Sequence, residues 1–411
     1  MPEGFDMVSF LLELVRIPSE SGYQGNTIVR RNYTEIVALI EKTAVENGLT
    51  VERVELLNGD IPSLVIGLPD APRNKPSMAF VTHYDVVPAK GPWVVDGQQM
   101  DPYEPIVRDG KVYGRGAADD KSAIAAVMAG LVSLKGAGEK LRYAPFLVIT
   151  GDEEVGGTGV KALLEQGYRW DRVVIVDSGS EYVSVGASGV VHGWIKVRGK
   201  SGHAGYPHET RNAVEDLLKL LWELREYKAL RHGKLSKLPS PPGSPVPQVW
   251  GRFTVTVVKL PETEPEKHNR VPGEAWAGFD MRLIPEERVE DALHELYAYF
   301  SSAVSKLGIS AKVEVITGQP GWYAKNELFV REVIEAARKA YRDMGFRGEP
   351  SVAAELGGND GTYFDLYGMD VVAFGTIREG TNIHSEGEFV YIEDLEMFKR
   401  FMVNILLGDS R

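Results

Sequence analysis

Three apolar runs in the first half of this sequence end in side chains that ionise. MAFVTHYDVVP closes on His83 and Asp85, PFLVITGDEEVGG on Glu153 and Glu154, and RVVIVDSG on Asp177, while GRGAADDK places Asp119 at the start of a helix-like segment. Asp152, Glu153 and Glu154 are consecutive, and neighbouring carboxylates push one another toward protonation unless a cation offsets them. One or two divalent metal ions would provide that counter-charge. Zinc accepts imidazole nitrogen and carboxylate oxygen, and one carboxylate can bridge two ions about 3.5–4 Å apart. A second imidazole is then required, and TNIHSEGEF offers His384. Each residue taken singly has a plainer explanation. A strand-end histidine is more often a satisfied polar group, a Glu pair suits a helix N-terminus, and Asp119 or Asp177 could cap a helix or shape a turn. What outweighs these readings is that every one of the residues falls at the same edge of the same inferred sheet.

The elements that must position them follow from the hydrophobic pattern. Between residues 63 and 177, continuous apolar runs (SLVIG, MAFVTH, PFLVITG, RVVIVDSG) alternate with helix-like segments after Asp120 and Thr158. Strands buried on both faces and joined by helices predict an α/β fold, a doubly wound mixed sheet. In such sheets ligands bind outside the carboxyl ends of the strands, where these side chains would converge. From about Gly186 the texture changes to β-α-β-β-α-β, the ferredoxin-like α+β pattern. Its members are VVHGWIKVRG, the helix RNAVEDLLKLLWELREY, GRFTVTVVKL, GEAWAGFDMRL, the helix EERVEDALHELYAYFSSAVSKL and SAKVEVIT, with KLPSPPGSPVPQ as a Pro-rich loop. The expected organisation is a catalytic domain in two parts, residues 1–185 and 318–411, with residues 186–317 inserted into it.

Composition narrows the function. The 411 residues exceed what one core usually organises. A net charge of −12 argues against a nucleic-acid partner. Cysteine is absent, which removes disulfides, thiolate nucleophiles and sulfur-ligated zinc. The first residues predict an amphipathic helix facing a core with Phe10, Leu11, Leu14 and Val15, rather than a signal peptide. No apolar run is long enough for a membrane span, so a cytoplasmic protein is expected, and the residue usage leans toward a thermophile. Phosphate-loop, dinucleotide and G-x-S-x-G patterns do not occur in a usable context.

Together, THYDVVP, GRGAADDK, GDEEVGG, VDSG and IHSEGE, in this order, resemble the motifs of the di-zinc metallohydrolase family that includes aminoacylases, carboxypeptidases, succinyl-diaminopimelate desuccinylases and dipeptidases. The resemblance covers nearly the whole chain and includes the insert, which it identifies as a lid and dimerisation domain. It implies two zinc ions (Zn2+, with Co2+ or Mn2+ as substitutes). His83 and Asp177 would hold one, Glu154 and His384 the other, and Asp119 would bridge them, with a cis peptide after Asp119. Asp85 would orient His83, as metal-bound imidazoles require. Glu153 would remain as general base to a water between the ions. The counter-charge for the run of acids would then be the zinc pair.

For the insert, KSGHAGYPHETRNA resembles the family stretch whose histidine stabilises the oxyanion in the partner subunit, which makes His203 the catalytic candidate there and implies a homodimer. HNRVPGEAWAGFDMRL resembles the stretch whose Asn and Arg grip substrate, here Asn269 and Arg282, and ELGGNDGTYF the glycine-rich cleft loop, with Gly357 and Gly358. His192, His208, His232, His268 and His294 have no motif support. Asp177 where many relatives have Glu, and DDK at the bridge, lean toward the dipeptidase and aminopeptidase side. The expected function is zinc-dependent hydrolysis of an amide in a small peptide. An N-acyl amino acid deacylase or desuccinylase uses the same chemistry, and a non-catalytic metal-binding or structural homologue is the alternative of another class.

Overall fold

The protein is described by a computed structural model covering residues 5–24 and 27–408. The chain divides into two compact units: one built from the residues up to Val185, Ala324–Ala353 and the residues from Asn359 onward, the other from Gly186–Tyr323 and Ala354–Gly358.

In the first unit, part of the central sheet runs in the order Asp370–Ala373, Arg172–Ile175, Ser77–His83, Ala144–Thr150, Ile61–Gly67, Thr50–Leu56. The first four strands are mutually parallel and the last two are antiparallel additions, so the sheet is mixed. Parallel neighbours need crossover helices that cover both faces, and Lys121–Ser133 and Thr158–Glu165 are such crossovers. Phe80, Leu147, Val148, Val173 and Val174 accordingly lose all solvent contact, each worth about 1.5–3 kcal/mol. The N-terminal helix Met7–Val15 buries Phe10, Leu11, Leu14 and Val15 as its pattern predicts. It is tied down by the fully buried Lys121, whose ammonium donates to the carbonyls of Leu14 at 3.0 Å and Ile17 at 2.7 Å. Burial holds that ammonium down to about 7.

Register carries this order to the carboxyl edge. Thr150 lies opposite His83, and Ile175 lies opposite Val81. Counting two residues on from Ile175 brings Asp177 level with His83, and Glu153 and Glu154 follow Thr150 at once.

The second unit is a four-stranded antiparallel sheet in the order Arg252–Lys259, Glu274–Leu283, Gly189–Arg198, Ser310–Gln319. Alternate residues bury one face under the helices Ala213–Glu223 and Val289–Leu307, through Val191, Ile195, Phe253, Phe279, Met281, Leu217 and Leu296. Three details differ from the sequence reading. The first helix stops at Leu224 and a separate one spans Arg225–His232, with Arg225 donating to the carbonyl of Trp222 at 3.1 Å, which satisfies an acceptor left free at a helix end. The Pro-rich stretch contributes strand as well as loop, since Leu235–Pro239 pairs with Gln248–Trp250 and tolerates its prolines because it is a two-stranded edge. The unit also runs past residue 317, because Trp322 and Tyr323 pair with Ala187 and Gly186.

No helix among the described residues is long and apolar enough to cross a membrane.

Candidate metal centre

His83, the last residue of its strand, is 1% exposed. Its Nδ1 lies 3.0 Å from the main-chain carbonyl of Asp85 and 3.4 Å from Asp85 Oδ1. A proton on Nδ1 donated to that carbonyl leaves the Nε2 lone pair free, the form in which imidazole binds a metal. Nε2 is buried without an aligned hydrogen bond and faces Asp119 Oδ1 at 3.2 Å and Asp177 Oδ2 at 3.9 Å.

Across Asp119 a second set mirrors the first. His384 Nε2 lies 3.0 Å from Asp119 Oδ2 and 3.0 Å from Glu154 Oε2. The two oxygens of Asp119 therefore face two different histidines, and the Asp119–Asp120 peptide is cis. Ligand atoms of Asp119, Glu154 and His384 all lie within 4.8 Å of one another, as do those of His83, Asp120 and Asp177. Imidazole nitrogen with carboxylate oxygen is donor chemistry suited to zinc and its first-row neighbours.

The electrostatics express the same crowding. Burial and the charge of Asp177 push the Glu153 carboxyl well above the usual carboxylate range. Burial and Asp119 push Glu154 up to about 7 and Asp177 up to about 6. Hydrogen bonds to Asp119 and Glu154 raise His384 to about 10. Burial opposes a charged His83, yet Asp119 and Asp85 outweigh it and raise its proton affinity well above the ordinary value. Asp119 alone among these acids is held low, because its bonds to His384 and His83 overcome its burial. Without metal, protons are the only cations that can relieve this cluster.

Asp85 does more than meet His83. Its carboxylate accepts the main-chain N–H groups of Glu153 and Glu154, both at 3.2 Å, and the hydroxyl of Ser21 at 2.7 Å. The Glu153 carboxylate has no hydrogen-bond or ion-pair partner among the described residues, whereas Glu154 meets His384. The third acid of the run differs from what the sequence suggests. Asp152 is fully buried and is neutralised inside the protein, by Arg30 through Nε to Oδ1 at 2.9 Å and Nη2 to Oδ2 at 2.6 Å, and by the Tyr33 hydroxyl at 2.8 Å. Its counter-charge is a guanidinium.

Sequence reasoning missed three further acids. Glu388, within the quoted TNIHSEGEF, accepts the N–H groups of Ala118 at 3.0 Å and Asp119 at 3.1 Å and pairs with Arg115, so it holds the Asp119 backbone from behind. Asp120 accepts the Thr82 hydroxyl at 2.6 Å and leaves Oδ1 unpartnered; burial and Asp177 raise it well above its ordinary value. Asp360 is buried and pushed up to about 7 by that burial. Gly157, at φ +70°, packs where a Cβ would lie 2.5 Å from Asp360 Oδ1, which explains the last glycine of GDEEVGG.

The remaining candidates belong to the second unit. His203 pairs with Arg270 in a short ribbon, where the N–H of Ala204 donates to the carbonyl of Asn269 at 2.8 Å. The exposed His203 ring accepts the N–H of Gly205 at Nδ1, 3.0 Å away, which in the neutral ring places the proton on Nε2. Arg282 is engaged in an ion pair with Asp280, through Nε and Nη2, both at 2.9 Å. His192, unassigned from sequence, meets the same Asp280 at 2.9 Å. Gly357 lies in open space, with its carbonyl accepting the N–H of Ser188 at 3.1 Å, and Gly358 lies beside the Ser188 carbonyl.

The chain is 30% identical over 346 residues to a succinyl-diaminopimelate desuccinylase of Alkalilimnicola ehrlichii, covering 80% of this chain and 83% of that one. Its fold matches an M20 family metallo-carboxypeptidase of Sulfolobus solfataricus with a TM-score of 0.77 at 17% identity, over 97% of this chain and 98% of that one. It also matches a tripeptidase of Staphylococcus aureus, with a TM-score of 0.72 at 22% identity over 97% and 96%. The sequence relative carries a desuccinylase name although DDK and Asp177 lean toward the peptidase side. Both kinds of enzyme hydrolyse amide bonds, and so does this one. Over residues 79–408 the sequence matches the model of Peptidase family M20/M25/M40, and the chain belongs to that family.

Proposed function

We propose that this protein hydrolyses the amide bond of a small peptide, or of an N-acyl amino acid, at a centre of two divalent ions, zinc in the first instance. The observation that carries the reading is the placement of Asp119, with Oδ1 at 3.2 Å from His83 Nε2 and Oδ2 at 3.0 Å from His384 Nε2. One carboxylate thus serves two donor sets. His83 and Asp177 would hold one ion, Glu154 and His384 the other, and Asp119 both. When bound, the ions supply Lewis acidity to the scissile carbonyl and acidify the attacking water.

The chain's own residues do the rest. Glu153 takes the proton of the attacking water and returns it to the leaving amine. Its unpaired carboxylate, raised proton affinity and N–H anchor on Asp85 support that part. Asp85 orients His83 as well, so one side chain sets both a ligand and the base. Asn269, Arg282, Gly357 and Gly358 hold the substrate. His203, with its proton on Nε2, donates to the developing oxyanion in the partner subunit of a homodimer, and the second unit is the inserted lid and dimerisation domain. That assembly is supported by the apolar residues the unit leaves exposed, Val255, Val257 and Val258 on the edge strand and Leu218 and Trp222 on the first helix.

A second reading, removal of an N-succinyl group, is favoured by the names of relatives at 30% and 31% identity. The deciding experiment loads the full chain with zinc or cobalt and offers dipeptides, tripeptides, N-acetyl amino acids and N-succinyl diamines. Hydrolysis of a peptide supports the first reading and cleavage of the succinyl amide alone the second. Two bound metals without turnover of any of them would favour a non-catalytic homologue.

A further inference from the structure

The loop from Glu153 to Gly157 is held on its carbonyl side by two phenols. The Tyr23 hydroxyl donates to the carbonyl of Val155 at 3.0 Å, and the Tyr363 hydroxyl donates to that of Gly156 at 2.7 Å. The donors come from opposite directions along the chain, one 132 residues before its acceptor and the other 207 residues after. On the amide side, the N–H groups of Glu153 and Glu154 go to Asp85. Those of Gly156 and Gly157 close turns on the carbonyls of Glu153 at 2.9 Å and Asp152 at 2.7 Å. The Tyr363 ring fills the space that a Cβ on Gly157 would need. Tyr23 lies on the strand Ser21–Gln24 with its ring 65% exposed, so burial is not what it contributes. Its hydroxyl bond is.

The two acids of the loop depend on this backbone to different degrees. Glu154 is held at its far end by His384. The Glu153 carboxylate meets no hydrogen-bond or ion-pair partner among the described residues, so its position follows from the main chain that carries it. A small misplacement of a reacting group costs about 10²-fold in rate. We propose that Tyr23 and Tyr363 are positioning residues for Glu153, clamping successive carbonyls of its loop and so fixing where its carboxylate points. This rests on the amide-hydrolase reading and adds the groups that aim the base.

The test is a cycle on the metal-loaded full chain, with Tyr23→Phe, Tyr363→Phe and both together, each with Glu153 present and in a Glu153→Ala background, on the amide that the parent cleaves best. Phe keeps the ring and removes only the donor. With Glu153 present, each change lowers kcat about 3–10-fold, the range of one hydrogen bond, and the pair about 10–100-fold, while KM and metal content stay as in the parent. In the Glu153→Ala background the same changes cost nothing further, because residues that act through one group are not additive. Equal losses in both backgrounds, or a loss that follows metal content, would mean that the tyrosines only support the fold. A parent-like kcat in the double variant would mean that they do not aim the base; any of these results overturns the proposal. Hydrogen exchange on the metal-stripped full chain separates this from the proposed function. Faster exchange in Tyr23→Phe/Tyr363→Phe, confined to residues 153–157, sustains the clamp even if no amide is cleaved. Exchange there equal to the parent's ends it even if catalysis is proven.

Discussion

The carboxylate of Asp85 accepts the main-chain N–H of Glu153 at 3.2 Å across 68 residues of sequence. Asp85 also touches His83 Nδ1 and the N–H of Glu154, so it fixes the loop that bears the proposed base to the loop that bears a proposed ligand. Replacing it by Ala should lower metal affinity or kcat about 10–100-fold, the usual cost of losing a partner behind a ligand. Metal titration and steady-state kinetics on Asp85→Ala check this, and parent-like values in both would remove Asp85 from the site.

Glu153 and Glu154 are neighbours with opposite fates. The first has an unpaired carboxylate and the second meets His384. Glu153→Ala should keep its metal and lose about 10²–10⁴-fold in turnover, whereas Glu154→Ala should lose metal, because a ligand is gone. Elemental analysis beside a rate assay distinguishes them. Equal metal loss in both would refute the division of roles.

The raised groups set a pH dependence of stability in the metal-free protein. Glu154 at about 7, Asp177 at about 6 and His384 at about 10 all bind protons more tightly than in the unfolded chain. Between roughly pH 5 and 7 the native state then holds more protons than the unfolded state, so stability falls as pH rises, by about 1.4 kcal/mol per pH unit for each proton in excess; above that, Lys121, held down to about 7, offsets His384. Bound dications replace those protons. Denaturation of the stripped chain at pH 6 and pH 8.5 should show lower stability at the higher pH, and saturating zinc should flatten or reverse the trend. A metal-free stability that climbs over this range would contradict the placement of these groups.

Arg30 supports Asp152, which has no solvent exposure. Arg30→Ala leaves that buried carboxylate with only the Tyr33 hydroxyl, and breaking such a pair costs about 3–5 kcal/mol. Urea denaturation measures the loss. The double variant Arg30→Ala/Asp152→Asn should recover part of it, because no buried charge is then stranded. Additive losses in the double variant would show that the pair is not coupled.

His203 is exposed, with Nδ1 accepting from Gly205. If its Nε2 proton serves the partner subunit's site, His203→Ala and Glu153→Ala should each be nearly inactive alone. Mixed and allowed to exchange subunits, they should regain activity, since one site per heterodimer is then complete. No recovery, despite exchange shown by size or mass, would exclude the action across subunits.

Much of the centre was legible because its residues stand in short, local patterns. An apolar run buried on both faces marks a strand, its end marks the carboxyl edge of the sheet, and an acid or histidine there needs no long-range information to be noticed. That is why the crossover helices, the N-terminal helix and the crowding of acids after Thr150 could be read from a single chain. The same locality limited the reading. A run of three acids signals that counter-charge is needed, yet it does not say that Arg30, 122 residues before Asp152 in the chain, provides part of it. Nor does it say that Glu388 holds the N–H of Asp119 from 269 residues away. Hydrophobic periodicity and turn chemistry are properties of neighbours along the chain and are written in order. Ion pairing and register depend on which strands lie side by side, and that is settled only when the core packs.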